Sequence, residues 1–475
     1  DVLAHKYKEN IKGGVLVRAG SPKNWESHTW QDLRAQNVNI SVRVTKEFMD
    51  AVRNNGMHKL KNILDGKVRR ELPARDMLKL IAYATHQCGD PAVQYHDRIN
   101  DWNTCPNSGT IESSNPCSEY MFLNNSACNL ASLNLMKFQN ENGFDVESFK
   151  KAVDIFLTAQ DIMVSMAAYP TKEIARNSHI FRPLGLGYAN LGSLTMAKGL
   201  PYDSEEARDL AAVITSIMTG EAYLHSTRMA EELGTFQEFE KNKEPMLKVI
   251  ERHKEASRKL SANHNKSLEN LVIEANEIWN NAITRMGEYG ARNAQATLLA
   301  PTGTIGFFMD CRTTGAEPEL SLKKRKELSG GGSMIIVNQT VPTALEKLGY
   351  SEEQIPLILD YIEKNDTIEG CEILKPEHLP IFDCAVTSGK GKRAILPEGH
   401  IKMLGVIQPF LSGAISKTVN CPSDTTVEEI ERMYMLGDEL ELKALAIYRD
   451  GCREAQPLTT KKLETIQILK RGERE

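Results

Sequence analysis

Apolar residues recur at every second position in some stretches of the chain and at every third or fourth position in others, which predicts strands and helices in turn. Residues 39–44 alternate and are rich in β-branched side chains, so they are predicted to form a strand. Thr45 then suits the N-cap of a helix that carries Phe48, Met49 and Val52 on one face. This stretch therefore predicts one strand followed by one amphipathic helix.

The same succession of elements continues along the chain. Asp203 with Glu206, and Thr425 with Glu428, have the spacing of capping boxes that begin helices. Residues 1–38 are polar and weakly periodic, and no element is predicted there. Because no repeat or linker divides the rest, the pattern predicts one large α/β domain with largely parallel strands. Further helices are predicted at 75–84, at 145–168 and, as a charged surface excursion, at 236–281, and further strands at 296–300 and 444–448.

Two long stretches are predicted to be loops. Residues 101–118 are rich in Asn, Ser, Cys, Gly and Pro, and loops of that length inside compact domains are often functional. Residues 320–335 carry a basic run followed by three glycines, which predicts an exposed, flexible loop. The glycines of 184–192 lack the third member of a dinucleotide-binding motif, so close packing of a helix explains them better.

Composition excludes several classes of protein. The 475 residues carry a net charge of −5, whereas nucleic-acid binders normally present a basic face. No apolar run reaches the roughly 18–20 residues that cross a bilayer, and the N-terminal DVLAHKYKEN has no secretory signal pattern. The nine cysteines form no CxxC pair, so neither a structural zinc site nor a disulfide scaffold is expected, and a reducing, cytoplasmic setting fits best.

The most informative cysteine lies in NPCSE at 115–119, and a second follows eleven positions later, in SACNL. In an extended segment, Cys117 and Glu119 would point the same way. A neighbouring carboxylate raises the pKa of a thiol, which disfavours a thiolate nucleophile and suits hydrogen-atom transfer by a neutral thiol while the carboxylate moves a proton. From the spacing alone, a loop cysteine with incidental polar neighbours explains the pattern at least as well.

Longer blocks remove that ambiguity, because together with NPCSE they resemble the ribonucleotide reductases, and in particular their adenosylcobalamin-dependent class. The blocks occur in that family's order and extend from residue 39 to about residue 458. Several long motifs in register make chance similarity negligible. They are EYMFL at 119–123, CNLASLNL at 128–135, RPLGLGYANLG at 182–192, LLAPTGTIG at 298–306, QPFLSGAISKT at 408–418 and YRDG at 448–451.

The resemblance implies a role for each residue of the first motif. Cys117 would become the thiyl radical that removes the 3′ hydrogen of the ribose, and Glu119 would accept the 3′-hydroxyl proton. Asn115 would hydrogen-bond the sugar hydroxyls. Cys128 would be one half of the dithiol that reduces the 2′ carbon as water leaves, and that dithiol would end as a disulfide.

The resemblance also implies where the substrate phosphate binds. Glycine permits close backbone approach, and hydroxyl and backbone N–H groups can hold an anion without a lysine. Taken alone, PTGT is equally typical of an ordinary strand-to-helix turn. The predicted phosphate loop consists of Pro301, Thr302, Gly303, Thr304 and Ile305.

The implied fold is an α/β barrel of ten strands, of the type shared by ribonucleotide reductases and glycyl-radical enzymes, with a finger loop through its centre. Residues 39–458 would supply its later strands, with the finger loop at 101–119 and a helical excursion at 203–290. Residues 1–38 match poorly, and 459–475 would be an extension. The family's upstream redox cysteine and its cysteine-bearing tail have no counterpart, so we expect an N-terminal partner chain or a homodimer, and a thioredoxin-like or dithiol reductant.

The sequence also indicates the source of the radical. A glycyl-radical motif is absent, and Tyr448 is followed by Arg449 where the metal-dependent class has two adjacent tyrosines. Adenosylcobalamin is therefore the expected cofactor, with a radical from a separate metal-containing subunit as the alternative and no metal ligands in this chain. The expected ligands are a ribonucleoside di- or triphosphate and a nucleotide effector, with no nucleic acid and no membrane. A non-catalytic nucleotide-binding subunit is the competing hypothesis, against which the retained Asn115, Cys117 and Glu119 argue.

Overall fold

Strands and helices alternate along the chain, as the hydrophobic pattern predicts. The computed structural model describes residues 2–21, 28–36, 38–140, 143–327 and 333–453. The strands are β1 (Ser41–Val44), β2 (Met57–Lys61), β3 (Val68–Pro73), β4 (Ala92–Tyr95), β5 (Asn129–Asn134), β6 (Gln139–Asn140), β7 (Gly143–Phe144), β8 (Leu184–Ala189), β9 (Lys323–Glu327), β10 (Ser333–Val337), β11 (Thr418–Cys421) and β12 (Ala444–Arg449).

The helices cover the strands and link them. They are α1 (Val2–Arg18), α2 (His28–Gln31), α3 (Lys46–Arg53), α4 (Ala74–Cys88), α5 (His96–Asp101), α6 (Val146–Met166), α7 (Lys172–Phe181), α8 (Leu191–Ala197), α9 (Glu205–Leu233), α10 (Phe239–Ser257), α11 (Glu269–Tyr289), α12 (Gly303–Phe308), α13 (Thr340–Lys347), α14 (Gln354–Asn365), α15 (Pro397–Ile407) and α16 (Val427–Glu439). Residues 1–38, for which the sequence predicts no element, thus contain α1 and α2.

The principal strands form an open series with two directions. β1 pairs in parallel with β4, β4 runs antiparallel to β12, and β12 pairs in parallel with β11. On the other side, β5 pairs in parallel with β8. Single parallel bridges join Leu186 of β8 to Thr297, and Leu299 to Ile415 just before β11. The described strands therefore follow one another from β5 to β1 without closing into a barrel.

Several local predictions are confirmed. The hydroxyl of Thr45 accepts a hydrogen bond from the backbone N–H of Phe48, and Phe48, Met49 and Val52 are buried. β1 lies where alternating residues predict a strand, and β12 covers the strand predicted at 444–448. Residues 296–300 make the strand-like contacts of the two isolated bridges.

Both predicted capping boxes are wrong by one residue. α9 is capped by Ser204, whose hydroxyl accepts from Ala207 N–H, while Asp203 instead pairs with Arg208. α16 is capped by Thr426, which forms the capping box with Glu429. In each case the residue with extended backbone angles becomes the cap, and adjacent polar residues leave that choice open in the sequence.

The loop predicted at 320–335 is wrong on both flanks. Residues 323–327 form β9, which pairs antiparallel with β10 at 333–337. Two short runs joined through glycines are typical of a hairpin, and the basic residues belong to its first strand. Residues 328–332, which include the three glycines, lie outside the described residues.

The helices at 203–290 are packed against the core. α9 is buried along most of its length, and α11 places Trp279 against it, fully buried. α10 buries a face that includes Met246 and Ile250. The charged residues of 236–281 that predict a surface excursion therefore occupy only the outer faces of α10 and α11.

A second, smaller hydrophobic cluster is built around α13 and α14. A small pocket in it is lined by residues that include Asp366, Asp383 and Arg393, and by none of the predicted site residues. The guanidinium of Arg393 pairs with the Asp383 carboxylate at 2.7 Å. Among the described residues, no helix has both the length and the apolar character that crossing a membrane requires.

Candidate active site

The predicted finger loop follows α5 and contains neither helix nor strand up to β5. The carbonyl of Asn115 accepts from Ser118 N–H at 3.1 Å, and its side-chain oxygen accepts from Tyr120 N–H at 3.0 Å. Ser118 has a φ of 66°, in the left-handed region. The segment is therefore a tight turn, and the expectation that Cys117 and Glu119 share one side of an extended strand is wrong.

Cys117 lies at the tip of this turn and is exposed. The surrounding protein atoms, and to a lesser extent the charge of Glu119, raise the pKa of its thiol, while a hydrogen bond with Ser416 acts in the opposite direction. The net effect keeps the sulfur protonated near neutral pH. The electrostatic relation between thiol and carboxylate that the spacing predicts thus holds, although the turn differs.

Glu119 is buried, with 2% of its surface exposed. Burial raises the pKa of its carboxyl group, and an interaction with the side chain of Asn115 opposes that shift. Its Oε2 atom is buried without a hydrogen-bond partner. A buried carboxylate oxygen without a partner costs free energy. The hydroxyl of a bound ligand would remove that cost by donating a hydrogen bond to this oxygen.

The backbone of Glu119 is held by the segment that leads into β11. Its carbonyl accepts from Ala414 N–H at 2.8 Å, and Ser416 N–H in turn donates to Leu299 O at 2.8 Å. A Cβ on Gly413 would lie 2.8 Å from Leu298 Cβ and 2.9 Å from Glu119 O, so this close approach requires glycine. Residues 411–416, which lead into β11, thus hold both the finger loop and the strand before the predicted phosphate loop, and this segment is called the support segment.

Lys443 stabilises this support segment through hydrogen bonds to its backbone. Its buried ammonium group donates to three consecutive carbonyls, those of Leu411, Ser412 and Gly413, at 3.0, 3.0 and 2.7 Å. These bonds use all three N–H donors of the ammonium group.

Cys128 lies directly before β5 and is half-buried. A Cβ added to Gly185 of β8 would lie 2.6 Å from its sulfur, so the thiol packs directly on that strand. Burial raises the pKa of Cys128, and the charge of Glu119 adds to the shift. The charge of Glu119 thus raises the pKa of both thiols, that of Cys117 and that of Cys128.

The predicted phosphate loop begins α12. Thr302 is buried with a φ of 50°, and its hydroxyl accepts from Gly315 N–H at 2.7 Å. Pro301, Gly303, Thr304 and Ile305 are exposed. A Cβ on Gly303 would meet nothing within 4 Å, and the first N–H groups of a helix have no partner within it. The loop thus presents free donors, while the Thr302 hydroxyl has a structural partner.

The seven cysteines other than Cys117 and Cys128 are buried. Cys105 is fully buried, and burial raises the pKa of its thiol to about 12. The cysteines for which no chemistry is predicted are all buried: Cys88, Cys311, Cys371, Cys384, Cys421 and Cys452. Two contacts of the finger loop, with Ser416 and with Gln94 of β4, were not predicted, because both are distant in sequence and neither has a local signature.

A model of the ribonucleotide reductase barrel domain matches residues 23–448, and the chain belongs to this family. It is 49% identical over 460 residues to a protein of Rhodopirellula baltica named vitamin B12-dependent ribonucleotide reductase, an alignment that covers 96% of this chain and 44% of that protein.

A Streptomyces coelicolor protein of the same name is 45% identical over 480 residues, covering 100% of this chain and 49% of the relative. A Mycobacterium tuberculosis protein named vitamin B12-dependent ribonucleoside-diphosphate reductase is 29% identical, over 89% of this chain and 53% of the relative. The chain thus spans about half the length of the curated relatives it matches.

Proposed function

We propose that this chain is the catalytic part of an adenosylcobalamin-dependent ribonucleotide reductase, which converts ribonucleotides to 2′-deoxyribonucleotides for DNA synthesis. The observation that carries the proposal is the pairing of an exposed, protonated thiol at Cys117 with the unpartnered, buried carboxylate oxygen of Glu119. The names of the relatives support the cofactor.

The residues present fit such a cofactor. Adenosylcobalamin, when bound, supplies the unpaired electron that converts a thiol to a thiyl radical. A thiol that is to lose a hydrogen atom must be reachable and neutral, and Cys117 is both. Of the residues described, Cys117 is therefore the one that would face the bound group.

The chemistry of the sugar then follows from the side chains of this chain. The Cys117 thiyl radical takes the 3′ hydrogen atom, which re-forms the thiol and leaves a radical at the 3′ carbon. Glu119 accepts the 3′-hydroxyl proton and passes a proton to the 2′ hydroxyl, which leaves as water. The raised pKa of Glu119 makes its carboxylate a stronger base for the first of these transfers. Asn115 is proposed to orient the sugar hydroxyls. After the dithiol has reduced the sugar, the re-formed Cys117 thiol returns its hydrogen atom to the 3′ carbon.

Two electrons and two protons are then needed to complete the reduction. Cys128 supplies one thiol, and the pair becomes a disulfide, which an external dithiol or thioredoxin-like protein must reduce. The second thiol is proposed to come from an N-terminal partner segment, because Cys88 and Cys105, the cysteines that precede Cys117, are buried. A nucleotide effector is a further proposed ligand.

The substrate is proposed to be a ribonucleoside di- or triphosphate held by the phosphate loop, residues 301–305. The exposed N–H groups at the start of α12 and the hydroxyl of Thr304 would bind the anion. The open series of strands between β5 and β1 would be part of the α/β barrel of ten strands that the family resemblance implies.

The test is reconstitution of the chain with an N-terminal partner segment, a dithiol and adenosylcobalamin without oxygen. The expected result is deoxyribonucleotide formation and an electron paramagnetic resonance signal from coupled cobalt and thiyl spins. Cys117→Ser should abolish both while nucleotide binding is unchanged, whereas Cys128→Ser should keep the signal and lose turnover. Inactivity after reconstitution would contradict the function, and activity only with a metal-containing subunit would contradict the cofactor.

A further inference from the structure

β1 and β4 carry a pair of polar side chains at facing positions, Arg43 and Gln94. The next pair in the same register, Val44 and Tyr95, is buried in the main hydrophobic cluster. Because successive residues of a strand point to opposite faces, Arg43 and Gln94 lie on the face that is turned away from that core. This face meets the finger loop.

Gln94 uses both N–H groups of its side-chain amide on the finger loop. Its Nε2 atom donates to Ser114 Oγ at 2.7 Å and to Ser118 Oγ at 2.8 Å. These serines flank the turn on either side of Cys117. Ser118 has the left-handed backbone conformation, which is unfavourable for a non-glycine residue and needs compensating contacts.

Arg43 determines which way the amide of Gln94 faces. Its Nε and Nη2 atoms both donate to Gln94 Oε1, at 3.2 and 2.8 Å, so the NH₂ end must point to the serines. Its Nη1 atom donates to Ile111 O at 2.5 Å, in the middle of the same loop. Burial lowers the pKa of Arg43, and among the described residues its hydrogen bonds go to neutral groups, so the fold bears a desolvation cost for this contact.

We propose that Gln94, oriented by Arg43, is a positioning residue that holds the turn at Ser114–Ser118 and so places the Cys117 sulfur relative to Glu119. The catalytic consequence rests on the proposed function, whereas the effect on the turn does not. The hydrogen bonds from Arg43 through Gln94 to the two serines thus connect β1 and β4 to the turn that carries the reactive sulfur.

The experiment on the chain itself compares Gln94→Leu, which keeps the volume and removes the hydrogen bonds, with Gln94→Glu. The carboxylate can still accept from Arg43 and from the Ser118 hydroxyl, and it can accept from Ser114 once that hydroxyl turns away from Asn115 O, to which it donates at 2.8 Å, so it should rescue the turn. Gln160→Leu is the matched control, since Gln160 is similarly buried but donates to Asn129 O on β5.

Hydrogen–deuterium exchange of peptides spanning 111–121 measures the turn. In Gln94→Leu we expect exchange about tenfold faster, equivalent to about 1.4 kcal/mol of lost protection. The pH profile of Cys117 alkylation should also move toward that of an ordinary thiol, while Gln94→Glu and Gln160→Leu retain the wild-type exchange. Wild-type exchange and alkylation in Gln94→Leu would overturn the proposal.

If Gln94→Leu fails to fold, the double variant Ser114→Ala/Ser118→Ala removes both acceptors without altering β4 and must show the same acceleration; its absence would equally overturn the proposal. In the reconstituted reductase, Gln94→Leu should lower kcat about tenfold or more with KM within about twofold, because it displaces the sulfur and leaves the phosphate loop unchanged. Unchanged kcat would refute the positioning role. A wild-type enzyme without the cobalt–thiyl signal would refute the proposed function and leave the exchange result intact.

Discussion

Gly413 offers a direct measure of how tightly the finger loop is held. In Gly413→Ala the new methyl group would lie 2.8 Å from Leu298 Cβ, 2.9 Å from Glu119 O and 3.1 Å from Thr297 O. Ordinary contact begins at 3.4 Å, so the first two separations are about half an ångström too short. Leu298 and Thr297 lie in a strand that is paired on both sides, and the loop carbonyl of Glu119 is the contact that can move.

The expected cost of this overpacking is about 1–3 kcal/mol of unfolding free energy. Gly287→Ala is the matched control, because Gly287 lies in α11 and a Cβ there meets nothing within 4 Å. Alanine within a helix should stabilise by about 0.5–1 kcal/mol. The two variants make the same chemical change, so their difference in stability combines the contact of the methyl group at position 413 with the helix propensity of alanine at position 287.

Urea unfolding followed by tryptophan fluorescence measures the free energies, and alkylation of Cys117 reports whether the loop has moved. We expect Gly413→Ala to be about 2–4 kcal/mol less stable than Gly287→Ala, with a changed alkylation rate at Cys117. If both variants are equally stable and Cys117 reacts as in the wild type, the claimed close approach of segment and loop is wrong.

Three further predictions concern buried ionisable groups. Burial raises the pKa of Glu119, so folding disfavours its ionised form. Glu119→Gln should therefore be more stable than the wild type at pH 7, and this difference in stability should shrink as the pH falls toward about 4.3. Equal differences at pH 7 and pH 4 in urea unfolding would contradict this. Burial lowers the pKa of His253 to about 3, so as the pH falls below about 6.5 only the unfolded state gains a proton on this residue. Between pH 6 and pH 4 the wild type should therefore lose about 1.4 kcal/mol of unfolding free energy per pH unit more than His253→Phe. Parallel curves of stability against pH for the two proteins would refute this prediction. Lys443→Met removes one hydrogen bond from each of three buried carbonyls, of which, among the described residues, only Gly413 O keeps another donor, Gln408 Nε2, and it should cost about 2–4 kcal/mol. A loss below about 1 kcal/mol in the same assay would contradict this.

The sequence predicts elements well where a single local signal governs them. Alternation identifies β1, a short apolar run that ends before Asp450-Gly451 identifies β12, and Thr45 is followed by an apolar face that a helix buries. The two capping boxes fail by one residue because Asp203 adjoins Ser204 and Thr425 adjoins Thr426, so that two neighbouring polar residues compete for one role. Backbone angles decide between them, and those depend on how the preceding segment packs.

At the candidate site, the motif at 115–119 identifies the reactive residues, whereas their geometry depends on the rest of the fold. Nothing in the local sequence announces a left-handed residue at Ser118, where glycine or asparagine would be the usual signal. The hydrogen bonds of Gln94 span 20 and 24 residues, and Ser416 approaches Cys117 from almost 300 positions away in the sequence. Such contacts come from strand order, which hydrophobic periodicity does not encode.

The outer strands of the open series have a practical consequence. Among the described residues, β1 and β5 each have a hydrogen-bonded neighbour on one side only, and Leu130 on β5 is 52% exposed. Backbone donors and acceptors along such margins are templates for intermolecular strand addition. Purified on its own, the polypeptide should self-associate more as its concentration rises, and short synthetic peptides that dock alongside Ser41–Val44 or Asn129–Asn134 should keep it dispersed.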